Sequence, residues 1–235
     1  MLQPGGGSVA SATGARRAVW HNAVMATPAP RRPGRRASPS AAETRARIIR
    51  AAREVFNELG YDAATFTVVA VRSDVTRPAV NHHFGGKSTL YRAVVAQTTT
   101  AVIEAATQAR EQSTVTARLS TFFAAVVGAG SSDRSGAAFL VTAAIESRRH
   151  PELVDAEHDP VAACRRFLSW ALTEASDTGE LSSDTDTATV VEMLLAALLG
   201  MALSAGHIAP HQDPGHVADA FERLLSAQSG RSATR

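Results

Sequence analysis

Apolar residues recur at three- and four-residue intervals through most of the chain after residue 42, and no segment sustains the alternation of a half-buried strand. That pattern predicts an all-α protein. Ile48, Ile49, Ala52, Val55, Phe56 and Leu59 form the stripe of a first amphipathic helix over residues 42–59, with Gly60 as its stop. The stretch Phe66 to Lys87 then reads as two short helices joined by a tight turn. Thr65 caps the first, Val69 and Ala70 supply its buried face, and Asp74 falls at the turn. Thr76 caps the second, and Pro78 sits in its first turn, where a missing N–H costs little. Val75, Val80 and Phe84 turn one side of this helix inward, leaving Arg77, Pro78, Asn81 and His82 outside.

Gly85 and Gly86 end that helix, and Lys87 opens a longer one through Leu90, Val94, Thr98, Val102 and Ala105. Further stripes follow at Leu119 to Val127, Phe139 to Ile145 and Val161 to Leu172, separated by Gly128–Ser132, His150–Pro151 and Thr178–Gly179. Thr189 to Leu203 is apolar nearly all round, which predicts burial on more than one face. After a loop over His207 to Pro214, Val217, Phe221, Leu224 and Leu225 form a last stripe. The run Val190 to Leu203, interrupted by Glu192, is shorter than the roughly 20 residues a bilayer needs, which predicts a soluble, cytoplasmic protein without a membrane partner.

An outward face of cation, carboxamide, imidazole and small apolar groups suits the major groove of DNA. Arg77 can pair with a guanine edge, Asn81 with adenine, and Pro78 or Ala79 can rest on a thymine methyl. Lys87 beside the unpaired N–H groups of a helix start is a phosphate site. Charge sharpens this reading: residues 1–99 hold 14 Lys+Arg against 5 Asp+Glu, a net +9, and residues 100–235 hold 10 against 17, a net −7. Polyanion binding therefore belongs to the front half. Arg45, Arg47 and Arg50 near the start of the first helix lie either against the DNA backbone or in solvent.

The string Ile48, Ala52, Phe56, Gly60, Thr65, Ala70, Val75, Thr76, Phe84, Lys87 and Leu90, from about Thr44 to Val95, resembles the DNA-binding domain of the TetR family of bacterial transcriptional regulators. Two positions depart from the family pattern: Asp74 stands where a turn glycine is usual, and Asn81 where a phosphate-contacting tyrosine is usual. The resemblance implies an N-terminal three-helix helix-turn-helix domain over residues 43–95, with its motif at about 65–84. A helical ligand-binding and dimerisation domain would follow over residues 96–228, and a disordered tail over 229–235. It implies DNA contacts from Thr65, Thr76, Arg77, Pro78, Ala79, Asn81, His82, His83 and Lys87. It further implies a homodimer through the two C-terminal helices, bound to a palindromic operator and released from it by a small-molecule effector. Such a protein is usually a repressor.

Residues 1–42, rich in Gly, Pro, Ser, Ala and paired arginines and lacking acidic residues, are expected to be a disordered arm. Two readings stand for it: a basic arm along phosphates or in the minor groove, or a passive extension with Met25 as the true initiator. An Arg-rich, acid-poor leader also fits an organelle transit peptide, against which the bacterial resemblance weighs.

Other chemistry has thinner support. Cys164, the single cysteine, allows no intramolecular disulfide and reads as a small buried hydrophobe. His150 and His158 among carboxylates, and His207, His211 and His216, raise a metal-responsive regulator or metal-binding enzyme as the alternative function. Their spacings match no closed ligand pattern, so no metal and no other cofactor is expected. No phosphate loop, nucleophile elbow or HExxH sequence is present, and no enzyme is expected. Phe122, Phe139, Glu146, Phe167 and Trp170 are candidates to line an effector cavity between rear helices, with plain core as the competing reading. A nucleoid protein that coats DNA without sequence preference is the third class, and its affinity would fall with salt on every sequence alike.

Overall fold

A computed structural model describes residues 40–208 apart from 132, 154, 156 and 183, together with positions 215, 220 and 223. The arm through residue 39, His211, His216, all of the last predicted stripe and the tail lie outside the described residues. Every regular element among those described is helical.

Helix α1 (Ala41–Ala63) begins at a capping box: Glu43 N–H donates to the Ser40 hydroxyl at 3.1 Å, and Ser40 N–H donates to the Glu43 carboxylate at 2.7 Å. Gly60 breaks it with φ 73° and ψ 179°, a conformation almost confined to glycine, and a short turn of helix follows to Ala63. The sequence's stop at residue 60 is therefore a sharp kink. Helix α2 (Phe66–Arg72) packs on α1, α3 (Arg77–Phe84) packs on α2, and α4 (Lys87–Arg110) runs on from α3 and packs against α1. Helices α5 (Val115–Val127), α6 (Ser135–Arg149), α7 (Pro160–Asp177) and α8 (Thr187–Leu203) complete the body.

Two apolar cores form. The front one gathers Ile48, Val55, Phe56, Val69, Val80, Phe84, Leu90, Tyr91 and Val94 from α1 to α4. The rear one gathers Val102, Ala105, Phe122, Phe123, Leu140, Phe167, Leu168, Leu194 and Leu198 from α4 to α8. Helix α4 belongs to both, as its length predicts. Helix α6 belongs to both as well: Phe139 and Ala143 enter the front core, while Ala137 and Leu140 enter the rear one. A polar seam runs beside it, where Arg53 pairs with Asp133 at 3.0 Å, Asn57 Nδ2 donates to the Ser135 carbonyl at 3.0 Å, and Thr142 Oγ1 donates to Asn57 Oδ1 at 3.1 Å.

The last apolar helix is longer than its sequence suggests. It continues beyond α8 through a π-helical turn, Ser204–Ile208, that closes on α6, so His207 sits in that turn rather than in a loop, its Nε2 3.2 Å from the Ala138 carbonyl. A Cβ at Gly206 would lie 2.6 Å from Ala138, so only glycine permits this approach. The combined Thr187–Ile208 stretch is long and apolar enough to cross a membrane by length and composition, which corrects the shorter estimate. In this fold its inner face instead packs on α6 and α7, and Glu192 pairs with Arg165 at 2.7 Å.

Candidate nucleic-acid interface

The reading unit is built by local chemistry. Thr65 Oγ1 accepts the Val68 N–H at 3.3 Å and starts α2; Thr76 Oγ1 accepts the Ala79 N–H at 3.3 Å and starts α3. Between them the buried Ser73 hydroxyl donates to the Val69 carbonyl at 2.6 Å, and Val75 N–H donates to the Ala70 carbonyl at 3.0 Å. Asp74 takes φ 52°, so the aspartate adopts the left-handed turn that the resemblance associates with glycine.

Arg72 clamps α2 onto α1. Its two terminal nitrogens each lie 2.7 Å from a Glu58 oxygen, and Glu54 is 3.3 Å away. The guanidinium holds the Glu58 carboxyl below its ordinary value. Arg72 is thus committed inside the unit. Arg45 lies 5.0 Å above the Phe84 ring, which ties the start of α1 to the end of α3.

Val80 and Phe84 of α3 are buried, and Val75 packs against the same core. Arg77, Pro78, Asn81 and His82 are exposed, Ala79 and His83 are half-buried, and the capping Thr65 and Thr76 are exposed. The outward set predicted from the spacing is therefore together on one side. No acidic side chain among the described residues pairs with Arg77, and the His82 and His83 rings meet edge to face at 5.7 Å. Gly86 caps α4 without a side chain, so the N–H groups of its first turn, beside Ser88 and Thr89, are left for an anion. These are the N–H groups expected beside Lys87 from the glycine pair that precedes the helix.

Lys87 itself is placed differently from that expectation. Its ammonium donates to the carbonyls of Tyr61 and Asp62, both at 2.9 Å, and lies 4.4 Å from the centre of the Tyr61 ring. It anchors the kinked end of α1 to the start of α4. Lys87→Met is expected to cost about 1–3 kcal/mol of stability, the range of a charge-assisted hydrogen bond, and urea unfolding measures it. A loss below about 0.5 kcal/mol, of the size seen for plain surface changes, would return the ammonium to phosphate duty.

The five candidate cavity residues do not come together. Phe122 and Phe167 stack at 4.1 Å in the rear core, whereas Phe139 is fully buried against Tyr91 in the front core. Trp170 meets Phe167 at 5.8 Å, extending that aromatic run, and lies under Arg110 and Arg118 at 4.6 and 5.4 Å. Glu146 lines the cavity between α1 and α6. Packing won over lining for the three phenylalanines because each ring meets an aromatic ring on a neighbouring helix. A separate cavity of about 210 Å³ lies among α4, α5 and α6, walled by Ala101, Val102, Val126, Ala137 and Leu140, with Arg53 and Asp133 also lining it. Cys164 is fully buried, and burial pushes its thiol up to about 12.

The metal-responsive alternative has no support. Among the described residues no group of three His, Cys, Asp or Glu is arranged to hold a metal ion. His158 pairs with Asp155 at 2.8 Å, and the His150 ring meets Tyr61 at a tilt, centres 4.9 Å apart.

Comparison with known proteins agrees with this geometry. The sequence profile of "Bacterial regulatory proteins, tetR family" matches residues 48–94, the span from α1 into α4. The HTH-type transcriptional regulator UidR of Escherichia coli (strain K12) is 25% identical over 158 residues, covering 67% of this chain and 79% of its own. The HTH-type transcriptional repressor BepR of Brucella suis biovar 1 is 39% identical over 61 residues, covering 26% of this chain and 29% of its own. Among solved structures, Salmonella enterica GusR superposes with a TM-score of 0.57 at 25% identity, covering 78% of this chain and 94% of its own.

Proposed function

Because the chain belongs to the TetR family of helix-turn-helix transcriptional regulators, we propose that α3 reads one half of a palindromic operator and that two copies of the chain read both halves. The observation that carries this is the exposure of Arg77, Pro78, Asn81 and His82 on the side of α3 opposite buried Val80 and Phe84. Arg77 and Asn81 have the donor and acceptor sets for guanine and adenine edges, and Pro78 and Ala79 offer apolar contact to a thymine methyl. His82 and His83 extend that surface. Thr65, Thr76 and the first N–H groups of α4 fix the register on phosphates. Lys87 holds that helix start in place.

Residues 43–95 serve as the reader and residues 96–228 as the effector and pairing part. Pairing is supported by α8, of whose Thr187–Ile208 stretch only a third is buried. Met193, at 60% exposure, shares an open line with Thr189, Ala196 and Gly200, whose small side chains allow another helix to approach. A two-fold dimer must hold its α3 helices about 34–36 Å apart to enter successive major grooves. An effector that prefers another spacing releases the operator. BepR, a repressor by name, supports repression as the sign of the response. The protein works in the cytoplasm, where its DNA is.

Fluorescence anisotropy with duplexes from the DNA upstream of its own gene tests the reading. Affinity for one palindrome should exceed that for a scrambled duplex by roughly a thousand-fold or more at physiological salt. Equal affinity for all duplexes, lost in parallel as salt rises, would make it a DNA-coating protein.

A further inference from the structure

We propose that the open cavity between α1 and α6 is an effector site for an apolar molecule carrying an ammonium group, with Glu146 as the counter-charge. This rests on the regulator reading above and names where the signal enters.

The cavity holds about 390 Å³, within the range of roughly 300–1,000 Å³ usual for small-molecule sites. Phe56 and Gly60 line it from α1, Val141 and Ile145 from α6, and Leu203 from the end of α8, with Asn57, Thr142, Arg149 and His207 as its polar lining beside Glu146. Ile145 is 49% exposed and Leu203 39%, so folding leaves apolar surface open here for a guest to cover.

Glu146 is only 4% exposed. Its Oε1 accepts the Tyr61 N–H at 3.3 Å, but its buried Oε2 accepts no hydrogen bond, and the nearest cationic candidate, His150 Nε2, stands 3.7 Å off. A carboxylate this far out of water lacks the partners it needs. Arg149 does not supply them: its guanidinium stays 3.6 Å from Oε1 and its side chain is 65% exposed. An ammonium brings charge and three donors at once, an alcohol brings one donor, and a carboxylate guest is repelled. Of the two basic side chains in the lining, Arg149 is largely exposed and His207 has its Nε2 beside the Ala138 carbonyl, so the buried unpartnered charge is that of Glu146 and favours an amine on a hydrophobic body.

The site is also placed to act on the reader. Glu146 holds the N–H of Tyr61, and the carbonyls of Tyr61 and Asp62 hold Lys87, the first residue of α4, two residues beyond the Gly85 that ends α3. A guest that draws Glu146 away from Tyr61 loosens the turn that fixes α4 beside α3.

Calorimetric titration of the full chain with 4-phenylbutylamine, 4-phenylbutanol and 4-phenylbutyrate tests this. The amine should bind at least about ten-fold tighter than the other two, as a charge-assisted contact predicts. Glu146→Gln, which keeps an acceptor for Tyr61 N–H, should erase that preference. Ile145→Trp, at a half-exposed position that tolerates bulk, should weaken all three about ten-fold or more by filling the cleft. Amine affinity unchanged by both variants, equal binding of the three probes, or no amine binding up to its solubility overturns the site. Operator binding measured on the same samples separates the two ideas: an operator preference without an amine preference sinks the site alone, and no operator preference in the unaltered chain sinks the regulator reading.

Discussion

Arg77→Ala and Asn81→Ala are each expected to raise the operator Kd by roughly thirty-fold to twenty-thousand-fold. A base contact of this kind contributes about 1–3 kcal/mol, and in a symmetric dimer each change is made twice, giving about 2–6 kcal/mol at 1.4 kcal/mol per decade. Both side chains are exposed on α3 and neither takes part in the buried face of Val80 and Phe84, so folding stability should move by less than about 0.5 kcal/mol. Anisotropy on the operator and on a scrambled duplex, with urea unfolding of the same samples, reads both quantities. The loss should be larger on the operator than on the scrambled sequence, because base contacts carry discrimination while phosphate contacts do not. If either variant binds the operator like the unaltered chain, that side chain does not read DNA.

Phe167→Ala is expected to remove about 3–5 kcal/mol of stability, the usual cost of truncating a buried phenylalanine. Phe167 is 2% exposed and stacks on the fully buried Phe122 with ring centres 4.1 Å apart and planes 29° apart. Nothing nearby can collapse cheaply into the gap, since Cys164, Leu168 and Ala171 on the same helix are already buried. Against a typical domain stability of about 5–15 kcal/mol, this change brings the rear half close to unfolding. The measurement also separates core from cavity wall. A loss below about 1 kcal/mol would mean that the ring faces usable space and that its sequence-based place among effector contacts should be restored.

Much of the reading unit was legible because its causes are local. Thr65 and Thr76 as caps, Val80 and Phe84 as anchors and Arg77, Asn81 and His82 as the outer face all follow from spacing along two short helices. Asp74 could be placed in a left-handed turn for the same reason. The cavity residues failed because aromatic side chains look alike in sequence whether they meet a guest or each other. Phe139 went to the front core and Phe122 with Phe167 to the rear one, a choice made by helices distant in sequence. Lys87 is placed differently: a lysine at a helix start is free to meet phosphate unless carbonyls from elsewhere reach it, and here the turn after Gly60 brings two.

By itself the sequence determined an all-helical chain with a basic front, an acidic rear and a helix-turn-helix whose outer face is suited to DNA, because periodicity, caps and charge are properties of neighbours along the chain. Tertiary structure alone decided that α6 closes both cores, that Gly60 bends α1 against Glu146, and that Lys87 ties that bend to the start of α4. The hydrogen bonds of Glu146 and Lys87 to that bend join residues 25 to 85 positions apart. Their energies depend on which buried groups find partners once the helices have packed, and no short window of sequence carries that information.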